Sequence, residues 1–168
     1  MKHLLCMMLL AVASTVPVPA PAADRVLPSL ALSDDAGRPA NLAALSGAQA
    51  WTLVVVNPAR PQTQAALARL LPQAGAGGEH LIVVGVGPEA PFNELVRKHG
   101  QRPGLRFYRD AEGTVVKTLR LPGLPAVLGI DSGNRIAWQR IGVPPEPARA
   151  RSLVESWAAG ATQPGAAR

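Results

Sequence analysis

The chain of 168 residues predicts an α/β fold of three layers, with helices on both sides of a mixed sheet. Three observations predict it. Trp51 to Val56 and Leu81 to Val86 are continuous apolar runs of the kind buried on both faces of a central sheet. Each run is followed by a segment with helical spacing of its apolar residues. After Pro125 the alternation stops, and two strand-like runs flank the turn Asp131-Ser132-Gly133-Asn134. The first half requires a parallel crossover, which is right-handed by rule. The second adds an antiparallel pair and a last helix.

The elements follow in order. Val26-Leu27 and Leu30 to Leu32 are apolar, and Asp34-Asp35-Ala36-Gly37 is a turn signal. Arg38 to Leu42 reads as the returning strand of an N-terminal hairpin. Asn41 is placed to cap a short helical turn through Leu45, ending at Gly47. After the first core strand, Asn57 to Pro61 is a loop, with Pro61 suited to the first position of a helix running to Leu71. Pro72 and the glycines from Gly75 to Gly78 end it. After the second strand, Pro91 opens a helix that Gly100 stops after His99. Leu105 to Tyr108 is extended, and Asp110 to Gly113 is a turn. Thr114 to Leu119 reads equally as strand or helix. Pro125 to Ile130 is a strand, and Arg135 to Ile141 another, alternating Ile136, Trp138 and the stem of Arg140. The last helix spans about Ala148 to Ala159.

The N-terminus reads as a secretory signal. Lys2 and His3 form a polar start, Leu4 to Val12 an apolar core, and Pro17, Pro19 and Pro21 break any helix. Ala20-Pro21-Ala22 is the cleavage pattern, with an uncleaved anchor as the alternative. The organisation expected is a signal peptide over 1–22, one domain over 23–160 and a flexible tail over 161–168. No apolar run reaches the roughly 18 residues of a free-standing membrane span. Cys6, the single cysteine, sits too early for a lipidation site and leaves with the signal. The exported chain would enter a disulfide-permissive compartment without a thiol. The formal charge of +6 comes from 14 Arg and 3 Lys against 11 acids. The arginines are spread along the chain, as in a solvated surface. One Tyr and two Phe leave few platforms for stacking bases, which argues against nucleic-acid binding.

At this point the sequence resembles the thioredoxin superfamily, in its exported TlpA-like and redoxin (AhpC/TSA-like) branch. The residues that carry the resemblance run from about Leu27 to Trp157. They are the Asp34 to Gly37 turn, the buried Trp51 to Val56 strand entering a loop and helix, and the Val83-Val84-Gly85-Val86 strand. The most specific is the block Gly123-Leu124-Pro125 through Ile130-Asp131 to Ile136. The resemblance implies a thioredoxin-like three-layer α/β/α sandwich with a mixed central sheet and an N-terminal β-hairpin extension. It also implies a cis-proline at Pro125; the residues alone allow a trans proline opening an edge strand.

The family's Cys-x-x-Cys lies where the first core strand meets its helix. Counting back from Leu67 and Leu70 places that motif at Asn57, Pro58, Ala59 and Arg60, none of which is cysteine. A helix N-terminus stabilises a thiolate, but an Asn amide neither attacks nor forms a disulfide. Arg60 sets a cation near the positive helix end. Peroxidase chemistry of the peroxiredoxin type fails for the same want of sulfur. The expected function is therefore that of a protein- or peptide-binding module in the periplasm or outside the cell. Leu124 and Pro125 would line the groove with the 57–60 loop, pairing with an extended partner in a mode like strand addition. The alternative is an accessory component of a thiol–disulfide or cytochrome-maturation system whose partner supplies the cysteines. A third reading is a non-thiol enzyme on the same scaffold.

Other chemistry is weakly indicated, and no metal or cofactor is expected. His80 and His99 have no cysteine partners for a copper site, and His99 would end a helix as an imidazolium. Asp110 and Asp131 read as turn acids rather than a catalytic pair. Thr63 and Ser46 lack a Ser–His–Asp context. Gly85-Val86-Gly87 lacks the third glycine of a dinucleotide loop. Arg102, Arg106, Arg109 and Arg120 are either a solvated face or a surface for an anionic partner.

Overall fold

The computed structural model describes residues 25–45, 49–71, 80–102 and 104–158. The signal and tail expectations, Ser46, Gly47 and the 72–79 helix stop lie outside them. Strands β1 (Ala31–Asp34) and β2 (Pro39–Asn41) form the N-terminal hairpin, followed by a 3₁₀ turn at Leu42–Leu45. The Asn41 side chain caps that turn by accepting from the Ala43 N–H at 3.0 Å. Then come β3 (Trp51–Val56), α1 (Pro61–Leu70), β4 (Leu81–Val86), α2 (Glu89–His99), β5 (Arg106–Asp110) and α3 (Thr114–Leu119). The chain closes with β6 (Ala126–Ile130), β7 (Ile136–Ile141) and α4 (Pro147–Ala158).

The seven strands form one sheet in the order β2-β1-β5-β4-β3-β6-β7. β3, β4 and β5 run parallel, while β6, β7 and the hairpin add antiparallel pairs, so the sheet is mixed. Two apolar clusters lie on its two faces. Trp51, Leu53 and Val55 of β3 face one, with Leu42, Leu45, Val115 and Leu119. Val54 and Val56 face the other, with Leu67, Leu70, Phe92, Leu95 and Val154 of α1, α2 and α4. A strand sandwiched in this way has no polar face to show water, which is why β3 reads as an unbroken apolar run.

Three points refine the sequence reading. α2 begins at Glu89, two residues before Pro91. Proline is tolerated there because the first-turn N–H groups have no helical acceptor. Thr114–Leu119 is a helix. The Asp110 carboxylate decides it, accepting from the Thr114 N–H at 3.0 Å and the Val115 N–H at 2.7 Å. This pairing also satisfies a buried acid. In β7 the buried alternation stops at Trp138, and Arg140 is exposed. A bulge between β6 and β7 at Gly129/Ile130 shifts the register there.

Candidate functional site

β3 and β6 pair antiparallel, with Val55 opposite Ala126. One step beyond, Val56 and Pro125 end their strands side by side. The 57–60 loop and the Gly123-Leu124-Pro125 segment therefore meet at one end of the sheet. The Leu124–Pro125 peptide is cis. The Pro125 carbonyl accepts from the Gly142 N–H at 2.8 Å, fixing the segment to the end of β7.

The loop is built by its own backbone. The Asn57 side chain accepts from the Ala59 N–H at 3.0 Å, and the Asn57 carbonyl accepts from the Arg60 N–H at 3.1 Å. The buried Thr63 hydroxyl donates to the same carbonyl at 2.5 Å. Thr63 is thus a structural clasp between α1 and its loop. Pro58 is buried; a Cβ on Gly85 would stand 3.0 Å from its ring and 2.7 Å from that of Phe92. The missing third glycine is consistent with this role, since Gly85 serves close packing. Ala59 and Arg60 are exposed, and Arg60 occupies the N-cap of α1 with no side-chain cap bond. Leu124 and Pro125 are half-buried. Leu124 packs on the cluster that contains α3, across the sheet from α1.

The sequence-predicted loop and Pro125 segment thus lie at the same end of the sheet, with Ala59 and Arg60 exposed and Leu124 and Pro125 half-buried. No sulfur is present: the only cysteine of the chain is Cys6. The topology, with a central β3–α1 junction beside a Gly-x-Pro strand start, invites comparison with known structures. No protein-family profile and no curated protein sequence matches the chain. Solved structures do. MTB DsbF, crystallised in mixed oxidised and reduced forms, has a TM-score of 0.60 at 17% identity, over 79% of this chain and 94% of that one. A secreted Mycobacterium tuberculosis disulfide oxidoreductase homologous to E. coli DsbE gives 0.57 at 15%, over 79% and 96%. The fold is thioredoxin-like. The exposed lipoprotein thioredoxin Etrx1 of Streptococcus pneumoniae, with the same thioredoxin-like fold, gives 0.55 at 18%, over 73% and 94%.

Around this thioredoxin-like frame the remaining candidates separate. His99 is buried at the end of α2 and its Nε2 lies 3.1 Å from Gln64 Oε1. Burial, then the nearby Arg102 and Lys98 charges, hold its pKa below the ordinary value. The imidazolium expected from the helix end is therefore disfavoured, because burial and two neighbouring cations penalise the charged ring. Asp131 accepts from the Gly133 and Arg135 N–H groups, as a turn acid does. The arginine group does not form one surface. Arg106 donates to the Leu45 carbonyl at 3.3 Å, whereas Arg109 meets Glu89 at 3.5 Å. Cavities of about 200 and 270 Å³ flank β1 beside Arg109, three strands away from the Pro125 segment. Among the described residues no cluster of three or more His, Cys, Asp or Glu is arranged to hold a metal. No helix there is long and apolar enough to cross a membrane.

Proposed function

We propose that the chain is an exported thioredoxin-fold protein without thiol chemistry, which holds an extended segment of a protein partner in the cell envelope. The observation that carries this reading is the register of β3 against β6. It brings the half-buried Leu124-Pro125 to the end of the sheet where Asn57 to Arg60 leave β3, next to the exposed Ala59 and Arg60. Strand-like pairing with a peptide needs main chain and shallow side-chain contacts, not a nucleophile. The single cysteine, inside the expected signal peptide, supports the loss of redox activity. The export expectation is in keeping with relatives that their descriptions call secreted or exposed.

Two measurements test the proposal. Insulin reduction by the purified chain is expected at background; turnover would overturn the thiol argument. Binding of a reduced, alkylated unfolded protein is expected to weaken by about tenfold in Ala59→Trp, roughly 1.4 kcal/mol. Ala59 is exposed, so the indole fills the groove without entering the core. Leu124→Asp is expected to weaken binding as well. It also costs stability, because Leu124 is half-buried against apolar neighbours. Unchanged capture by Ala59→Trp would count against the groove.

A further inference from the structure

We propose that the buried His99 side chain is an acid-sensitive latch. Its neutral ring ties α2 to the first turns of α1, and protonation lets them part and loosens the 57–60 loop. The bearing of this latch on partner capture rests on the function proposed above.

The tie spans two helices whose backbones keep apart. Among the described residues α1 lies close against α4 and further from α2, so side chains bridge the second gap. His99 is the last residue of α2, with 5% of its surface exposed. Its Nε2 N–H donates to Gln64 Oε1 of α1 at 3.1 Å. Gln64 follows Thr63, whose hydroxyl holds the Asn57 carbonyl. The Arg60 and Thr63 N–H groups close the same turn, onto the Asn57 and Arg60 carbonyls at 3.1 and 3.0 Å. The latch thus acts one residue away from the clasp that joins the loop to α1.

Hydrogen-bond count makes the tie sensitive to acid. A neutral imidazole donates through one nitrogen, and an imidazolium through both. His99 Nδ1 is buried, and among the described residues nothing accepts from it. A latched imidazolium would therefore bury an N–H without an acceptor, together with its charge. The surroundings supply no counter-ion. The charges that act on the ring are Arg102, in the turn after α2, and Lys98 of α2, both cations. α1 presents the neutral Gln64. The sheet face that shares a cluster with Phe92 and Leu95 of α2 presents Leu81 and Val83 of β4 and Phe107 of β5, all apolar. A ring released into water binds a proton more readily than the latched ring, so acid favours release.

The test is amide hydrogen exchange of the purified chain from about pH 7.5 to about pH 5, across the ordinary histidine range, with each rate divided by its intrinsic value at that pH. In the wild type the Arg60, Thr63 and Gln64 amides are expected to exchange about tenfold more readily at the acid end. His99→Phe fills the site with a ring that cannot titrate, and is expected to remove this pH dependence. Gln64→Glu is expected to reverse its sign. The new carboxylate pairs with the imidazolium and raises the ring's pKa, so these amides are protected in acid and released as pH rises through that value. A contact with only a structural role would not reverse, so Gln64→Glu decides even if His99→Phe fails to fold. Wild-type exchange that does not change with pH, a wild-type slope in a folded His99→Phe, or an unreversed slope in Gln64→Glu would each overturn the proposal. Exchange needs no partner. Failure to capture the reduced, alkylated unfolded protein at every pH would therefore count against the binding function alone, while the exchange slopes still decide the latch.

Discussion

The two ends of β3 are built to opposite rules. At the Trp51 end the sheet is locked by aromatic rings. The Trp157 indole N–H donates to the carbonyls of both Trp51 and Ile130, at 3.0 and 3.2 Å. Trp157 stands edge-on to Trp138, with ring centroids 6.0 Å apart. Trp138 in turn lies over Gly129, where a Cβ would come within 2.1 Å of the indole nitrogen. At the Val56 end, two loops meet around prolines, and Ala59 and Arg60 lie in solvent. The first end spends its side chains on holding α4 to the sheet. The second leaves Leu124 and Pro125 half-buried. The contrast teaches where substitution disturbs the fold and where, on the function proposed above, it would bear on binding.

The sharpest way to break the comparison is at the closed end. Gly129→Ala is expected to destabilise by about 2–3 kcal/mol, because a rigid indole cannot yield to the new methyl. Urea unfolding would measure it, and a loss under 0.5 kcal/mol would refute the tight contact. Trp157→Phe keeps a ring but removes an N–H shared by two carbonyls, for a loss of about 1–1.5 kcal/mol by the same assay. At the open end, Thr63→Val removes the clasp on the Asn57 carbonyl and is expected to cost about 1 kcal/mol. Arg60→Asp is expected to act the other way, stabilising by about 0.5–1 kcal/mol. It removes a cation from the helix N-terminus and supplies a cap. A fall in the unfolding midpoint would show that Arg60 has a role in the fold.

A smaller, pH-dependent effect belongs to His99. Its folded pKa lies below the ordinary value near 6.5, so the unfolded chain binds more protons just below that pH. Stability is then expected to fall as pH drops from about 6.5 towards the depressed folded value, and to level out above it. Asp34, its pKa lowered chiefly by the Arg38 backbone N–H, contributes in the same direction but only below about 3.8. His99→Gln should flatten the profile near pH 6 and leave the acid limb unchanged; an unaltered slope would exclude His99.

Most of the element order is legible in the chain. β3 and β4 announce themselves as apolar runs, and Asn41, Asp110 and Asp131 are placed as turn and cap residues before any fold is seen. Thr114–Leu119 was ambiguous because four of its six residues are Thr or Val, which favour a strand, and only the reach of Asp110 across a turn tips it to helix. The 57–60 loop and Pro125 are legible as motifs. Their meeting is not, because it depends on pairing residues about 70 positions apart, a separation at which local spacing is silent.

The sequence by itself determined that Cys6 is the chain's single thiol and that none stands at 57–60, since residue identity alone decides which chemistry is present. It also determined the buried character of β3, because an apolar run has one low-energy environment. Only the tertiary structure decided that Leu124 packs away from α1, that Trp138 covers Gly129, and that β7 is the last strand of the sheet, at the end opposite β2. These are contacts between distant segments, and strand order and register, not local preference, choose which segments meet.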